Sequence, residues 1–238
     1  MNPHYNNMVT PLLTDMYQLT MTYAYFKQKT HQKPSTFNLF IRKAPFKGEF
    51  VVFAGLYDAL SFIANFKFTK EHIDYIRRAV IPNASEDFYE YLLTMNTSEV
   101  TVEALPEGTI AFPKVPFITI SGPLAVVQLL ETTLLNICNF ASLMATNAAR
   151  HCMAVNYSKG MIEFGTRRAQ GPDGALAAAK YSYIGGFNGT SNLQAGMTFD
   201  IPVMGTHAHS YVMSHVNGWK DITDKKLVFK GETLSEDF

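Results

Sequence analysis

Hydrophobic positions recur at helical spacing early in the chain, with Met16, Leu19, Tyr23 and Phe26 on one stripe. The pattern predicts a first helix with Thr14 as its N-cap and Asp15 at the positive end of its dipole. Tyr17 and Gln18 fall beside the stripe, where ordinary packing is the plain reading. Phe37, Leu39 and Ile41 then alternate with Thr36, Asn38 and Phe40, which predicts a strand over 36–42. A turn follows over 43–48. Leu56, Leu60 and Ile63 mark one face of a helix within 55–66. Thr69 is the predicted cap of a helix carrying Ile73, Ile76 and Val80, which Ile81-Pro82-Asn83 ends. Ser85 is the predicted cap of another, with Glu86 and Asp87 in its first turn. Short strands follow over 100–105, 109–112 and 117–121, separated by Pro106-Glu107-Gly108 and Pro113.

The stretch 123–155 is apolar on most faces. It predicts a long helix with Pro123 at its first position, then a second helix, as the most buried helices of the chain. Gln128, Glu131, Asn136, Asn139, Asn147 and Arg150 interrupt it, as suits a core region and not a membrane span. After residue 160 the organisation changes. A strand over 161–165 ends in Gly165 and leads into Thr166-Arg167-Arg168. An alanine-rich helix over 174–183 stops at Gly185-Gly186. A polar loop over 187–192 and a helical turn over 193–197 come next, and then an apolar strand from Asp200 towards His209. Alternating strands and helices predict a parallel α/β arrangement, so the reading is a mixed α+β domain over 1–158 and the start of an α/β domain over 159–238. Ligand chemistry in such sheets collects beyond the carboxyl ends of the strands. Arg167, Ser191, Thr206 and His209 fall at that edge.

At 238 residues the chain suits one large domain or two small ones. Twenty basic and twenty acidic residues cancel, which argues against nucleic acid or an anionic membrane as a partner. Cys138 and Cys152 sit in apolar helical stretches and read as reduced core thiols of a cytosolic protein. The opening over 1–7 is polar and has no signal-peptide pattern.

Chemistry concentrates at Gly205-Thr206-His207-Ala208-His209-Ser210. On a continuing strand, His207 and His209 would share one side. Three readings stand: a polar loop, two ligands of a zinc site, or a histidine acting as acid, base or nucleophile.

Four stretches resemble one family, in its order and at its spacing. They are 12–21 (LLTDMYQLTM), 163–174 (EFGTRRAQGPDG), 185–192 (GGFNGTSN) and 205–210 (GTHAHS). The family is nicotinate phosphoribosyltransferase, and the resemblance covers essentially the whole chain but only about the first half of the family's usual length. It implies a cytosolic homodimer in NAD biosynthesis. Nicotinate displaces pyrophosphate from phosphoribosyl pyrophosphate, with ATP hydrolysis coupled to the step and magnesium as the ion. No bound prosthetic group is implied. The implied fold is a mixed α+β domain beside an irregular, incomplete parallel α/β barrel, the type II phosphoribosyltransferase fold.

The resemblance also implies roles. His209 matches the histidine that ATP phosphorylates, which demotes the zinc reading. Thr206 matches a nicotinate contact. Tyr17 matches the aromatic residue that stacks on the pyridine ring across the dimer interface. Arg167 matches a basic residue of the ring and phosphate site, ahead of Arg168. Nicotinamide-using relatives carry an acid where this chain has Ser191, so Ser191 favours a carboxylate substrate. Asn188 and Ser191 equally suit loop shaping. The family's acidic ribose site and glycine-rich phosphate loops have no counterpart in these residues. The expectation is therefore an acceptor side without its donor side, inactive alone and prone to associate through an uncovered strand edge. The rivals are a non-catalytic dimerisation module and a nicotinamide- or quinolinate-using relative.

Overall fold

The computed structural model describes residues 8–223, 226–229 and 231–235. The polar opening over 1–7 and the end of the chain over 236–238 lie outside the described residues. Two compact units, Met1–Val203 and Met204–Phe238, divide the chain.

In the first unit the order is α1 (Met16–Lys27), β1 (Pro34–Leu39), β2 (Val51–Val52), α2 (Leu56–Ala64), α3 (Lys70–Tyr75) and α4 (Glu86–Thr94). Then come β3 (Thr101–Ala104), β4 (Ile110–Ala111), β5 (Ile118–Pro123), α5 (Leu124–Ala154), β6 (Ile162–Glu163), α6 (Gly171–Ile184), β7 (Gly189–Thr190) and α7 (Leu193–Phe199). β5 is the centre of an antiparallel sheet of order β1–β5–β3, and Ile120 faces Phe37 on one side and Val102 on the other. Phe53, Ile76, Phe88, Leu92, Ile118 and Leu130 fill the core beneath it. Thr69 caps α3 as predicted, and His72 returns the bond to complete a capping box.

α5 is one helix of 31 residues, where the sequence predicted two. It contains no Gly or Pro, so nothing interrupts its hydrogen-bond ladder, and Asn136 and Asn139 point outwards. Pro123 ends β5 and serves as the N-cap, one position before the helix. On length and composition α5 could cross a membrane, but 56% of its most apolar window is buried within the unit.

Two sequence expectations fail on α1. Asp15, not Thr14, holds the N-cap position, and Thr14 Oγ1 is buried with no hydrogen-bond partner among the described residues. The buried face is Gln18, Leu19 and Thr22, while Met16 is exposed. The reason is the surface opposite, where α5 presents Gln128, Glu131 and Thr132 to α1.

Beside β2, α5 takes the place of a neighbouring strand. Thr146 Oγ1 accepts from Val52 N–H at 2.8 Å, and Ser142 Oγ accepts from Ala54 N–H at 3.1 Å. These hydroxyls satisfy backbone donors that would otherwise be buried unpaired. α6 packs closely on α5 at Gly185, where a Cβ would lie 2.3 Å from the Ala145 carbonyl oxygen. This packing, and the ion pair of Lys180 with Asp58 on α2, carry the first unit past 158/159, where the sequence changes character, to Val203.

β6 and β7 pair in parallel, and Val203 adds a single parallel bridge to Thr190. The predicted strand into His209 is thus corrected to one paired residue. Pro202 brings no N–H, and 204–208 is irregular. The described residues have mixed α/β content and no closed barrel. The second unit holds α8 (His209–Met213), a 3-10 turn at Gly218–Asp221 and an antiparallel hairpin of β8 (Lys226–Phe229) and β9 (Glu232–Ser235).

Candidate functional site

The carboxyl end of the β6–β7 pair is built on Glu163, which is only 8% exposed. Its Oε1 accepts from the Gly165 N–H, and its Oε2 accepts from the Thr190 hydroxyl at 2.9 Å. Its backbone carbonyl accepts from the Ser191 N–H at 3.0 Å. Thr190 Oγ1 accepts in turn from the Asn192 N–H, and Asn192 caps α7 through the Ala195 N–H. One buried carboxylate therefore ties together the turn that carries Arg167 and the loop that carries Ser191. Sequence reasoning quoted Glu163 within a motif without giving it a role. The available signal was an acid inside an apolar strand run.

Arg167 and Arg168 lie on the 3-10 turn Thr166–Arg168, and both are exposed. The strand has ended by then, so strand alternation does not set Arg167 and Arg168 on opposite sides. Neither arginine makes an ion pair among the described residues. The Phe164 ring is also exposed at this edge. Ser191 is half-buried, and its hydroxyl makes no hydrogen bond among the described residues. Asn188 is a loop-shaping residue: its Oδ1 accepts from Met161 N–H at 2.8 Å, and its own N–H donates to the Met161 carbonyl at 2.7 Å.

Tyr17 sits on α1 with 48% of its surface exposed, and its hydroxyl oxygen accepts from Gln18 Nε2 at 3.1 Å. Thr206, His207 and His209 belong to the second unit. Thr206 and His207 lie on the irregular stretch, and His209 is the first residue of α8; all three are exposed. With no strand there, His207 and His209 do not share a strand face. Instead the His207 ring meets Tyr211, four residues on, with centroids 4.9 Å apart. The described residues contain no group of three His, Cys, Asp or Glu side chains that could hold a metal ion. In the same unit, hydrogen bonds from the Asn217 side chain and backbone hold the Asp221 carboxyl below its usual range.

A cationic turn and a polar loop thus lie at the carboxyl end of parallel strands, the edge where ligand chemistry collects in α/β sheets. Comparison with known proteins then gives the family. Residues 12–139 match the nicotinate phosphoribosyltransferase (NAPRTase) N-terminal domain, and residues 160–226 match the nicotinate phosphoribosyltransferase (NAPRTase) family. The chain belongs to this family. It is 56% identical over 209 residues to a nicotinate phosphoribosyltransferase of Caenorhabditis elegans, covering 88% of this chain and 37% of that protein. It is 53% identical over 234 residues to nicotinate phosphoribosyltransferase 2 of Arabidopsis thaliana, covering 98% and 42%. The crystal structure of human nicotinic acid phosphoribosyltransferase superposes with a TM-score of 0.80 at 45% identity, over 90% of this chain and 43% of that one. The chain thus spans about two fifths of the length of these relatives.

Proposed function

We propose that the protein carrying this chain is a nicotinate phosphoribosyltransferase of NAD biosynthesis. The pyridine nitrogen of nicotinate forms a bond to C1 of phosphoribosyl pyrophosphate as the bond from C1 to pyrophosphate breaks. ATP hydrolysis is coupled to this step through a phosphoryl group carried on His209. The observation that supports the reading most is the placement of Arg167 and Ser191 at one strand edge, on a turn and a loop that Glu163 ties together. Arg167 offers a planar fork that suits a carboxylate or a phosphate. Ser191 adds no negative charge to repel the nicotinate carboxylate, as an acid would.

Tyr17 supplies an exposed ring for stacking on the pyridine, reached across a homodimer interface, and Thr206 is a further nicotinate contact. Phosphorylated His209 adds negative charge that biases the site towards productive binding. The described residues offer no ligand cluster for magnesium, so no step is assigned to a metal held by them. The later strands of the longer protein would complete the irregular barrel and bring the groups that hold the donor phosphates. The buried free thiols of Cys138 and Cys152 support a cytosolic location.

The test is turnover. The whole protein should convert nicotinate and phosphoribosyl pyrophosphate to nicotinate mononucleotide, faster with ATP, and should discriminate against nicotinamide. Equal use of nicotinamide would remove the role given to Ser191, and no turnover of either would remove the reading.

A further inference from the structure

The seam between α1 and α5 is polar where a core seam is usually apolar. Gln18 is fully buried. Its Nε2 lies 2.9 Å from Glu131 Oε2, 3.1 Å from the Tyr17 hydroxyl and 3.3 Å from Thr132 Oγ1. Its Oε1 accepts from Gln128 Nε2, which also donates to Glu131 Oε2 at 3.1 Å. Burying the amides of Gln18 and Gln128 costs free energy even when each atom is paired, and apolar side chains of the same size would join two helices at less cost. The seam therefore has a use beyond holding α1 in place.

That use lies in the polarity of the network. An ionised carboxylate only accepts hydrogen bonds, so Glu131 obliges both amides to donate towards it. With its NH₂ turned to Glu131, Gln18 also donates to the Tyr17 oxygen, and the tyrosine O–H proton is left free to point outwards. The ring is half exposed, yet its tip is anchored. A ring held in this way presents its face with much of its rotational freedom already lost, which favours stacking on a flat ligand.

We infer that Gln18 is a positioning residue. It fixes the Tyr17 ring for an aromatic carboxylate, and Glu131 sets the direction of the hydrogen bonds. The inference rests on the reading of Tyr17 as the residue that stacks on nicotinate. Gln18 is fully buried and acts through Tyr17.

The experiment is a double-mutant cycle on the whole protein, with nicotinate affinity measured by calorimetry and folding followed by thermal unfolding. Tyr17→Phe keeps the ring and removes the anchored oxygen, and should weaken binding about threefold, the scale of one lost neutral hydrogen bond. Gln18→Met should weaken it about as much in the Tyr17 protein and by less than about twofold in the Tyr17→Phe protein. A residue that only supports the helix pair would weaken binding equally in both, and that result overturns the inference. So would unchanged affinity in Tyr17→Phe. If Gln18→Met does not fold, Glu131→Gln takes its place in the cycle. It keeps the size but lets position 131 donate, and the same dependence on the Tyr17 hydroxyl is expected. An unmutated protein that does not bind nicotinate would overturn the reading of the site and this inference with it. Binding with an additive cycle would overturn the inference alone.

Discussion

Lys180 on α6 places its ammonium nitrogen 2.8 Å from both carboxylate oxygens of Asp58 on α2, and the Tyr181 hydroxyl donates to the same carboxylate. Asp58 is 7% exposed and the Lys180 side chain 14%, so water screens this pair little. It joins the amino-terminal α+β layers to the helix behind the strand edge that carries Arg167 and Ser191. Removing one partner of a buried pair leaves the other charge desolvated without it. Asp58→Ala should cost about 3 kcal/mol of stability, measured by urea unfolding. A loss under about 1 kcal/mol would place the pair among solvent-exchanged ones.

Gly185 has an ordinary helical-side backbone, with φ at −74°, so its requirement is for space. A Cβ there would lie 2.7 Å from the Ala148 Cβ as well as against the Ala145 carbonyl. Gly185→Ala must push α6 off α5, and an overpacked core of this kind costs about 2–3 kcal/mol. Thermal unfolding should show the loss. An unchanged midpoint would mean that the two helices separate freely.

His209 is the proposed phosphoryl acceptor. In the whole protein, ATP labelled at the γ position should leave an acid-labile label that His209→Ala removes and His207→Ala keeps. The opposite pattern would transfer the role to His207, whose ring the structure sets against Tyr211.

Burial pushes the Cys138 thiol up to about 12 and raises that of Cys152. A pKa raised in the folded state contributes stability that is fully present below the unfolded thiol's value, about 8.5, and is lost as pH rises towards the folded one. Unfolding midpoints should therefore fall as pH rises from about 9 towards 12, and Cys138→Ala should flatten part of that fall. At pH 8 both thiols should resist a disulfide reagent until the chain is unfolded. Rapid labelling of the folded chain would contradict their burial.

The candidate site was read from local strings. Arg167, Ser191, Thr206 and His209 were placed by short motifs. What the strings lacked was the residue that ties the turn carrying Arg167 to the loop carrying Ser191. Glu163 looks like one charge in a strand until Gly165, Thr190 and Ser191 close around it. Thr206 and His209 were assigned to a strand because the apolar run 201–205 reads as one. A strand needs a ladder of bridges to a neighbour, and among the described residues of this run Val203 alone forms one.

Period and capping determine where a helix or a short strand forms, since both depend on neighbours a few residues away. The sequence alone therefore marked α1 to α4, the antiparallel strands and the α/β alternation after residue 160. It could not decide which face of α1 is buried. That depends on what lies opposite, and Gln18 meets Glu131 across 113 positions of chain. It also could not decide that α5 runs unbroken, because a helix with outward asparagines is held by the layers packed on its other faces. The tertiary structure settled these points, since burial of a polar side chain is favourable only where distant partners complete its hydrogen bonds.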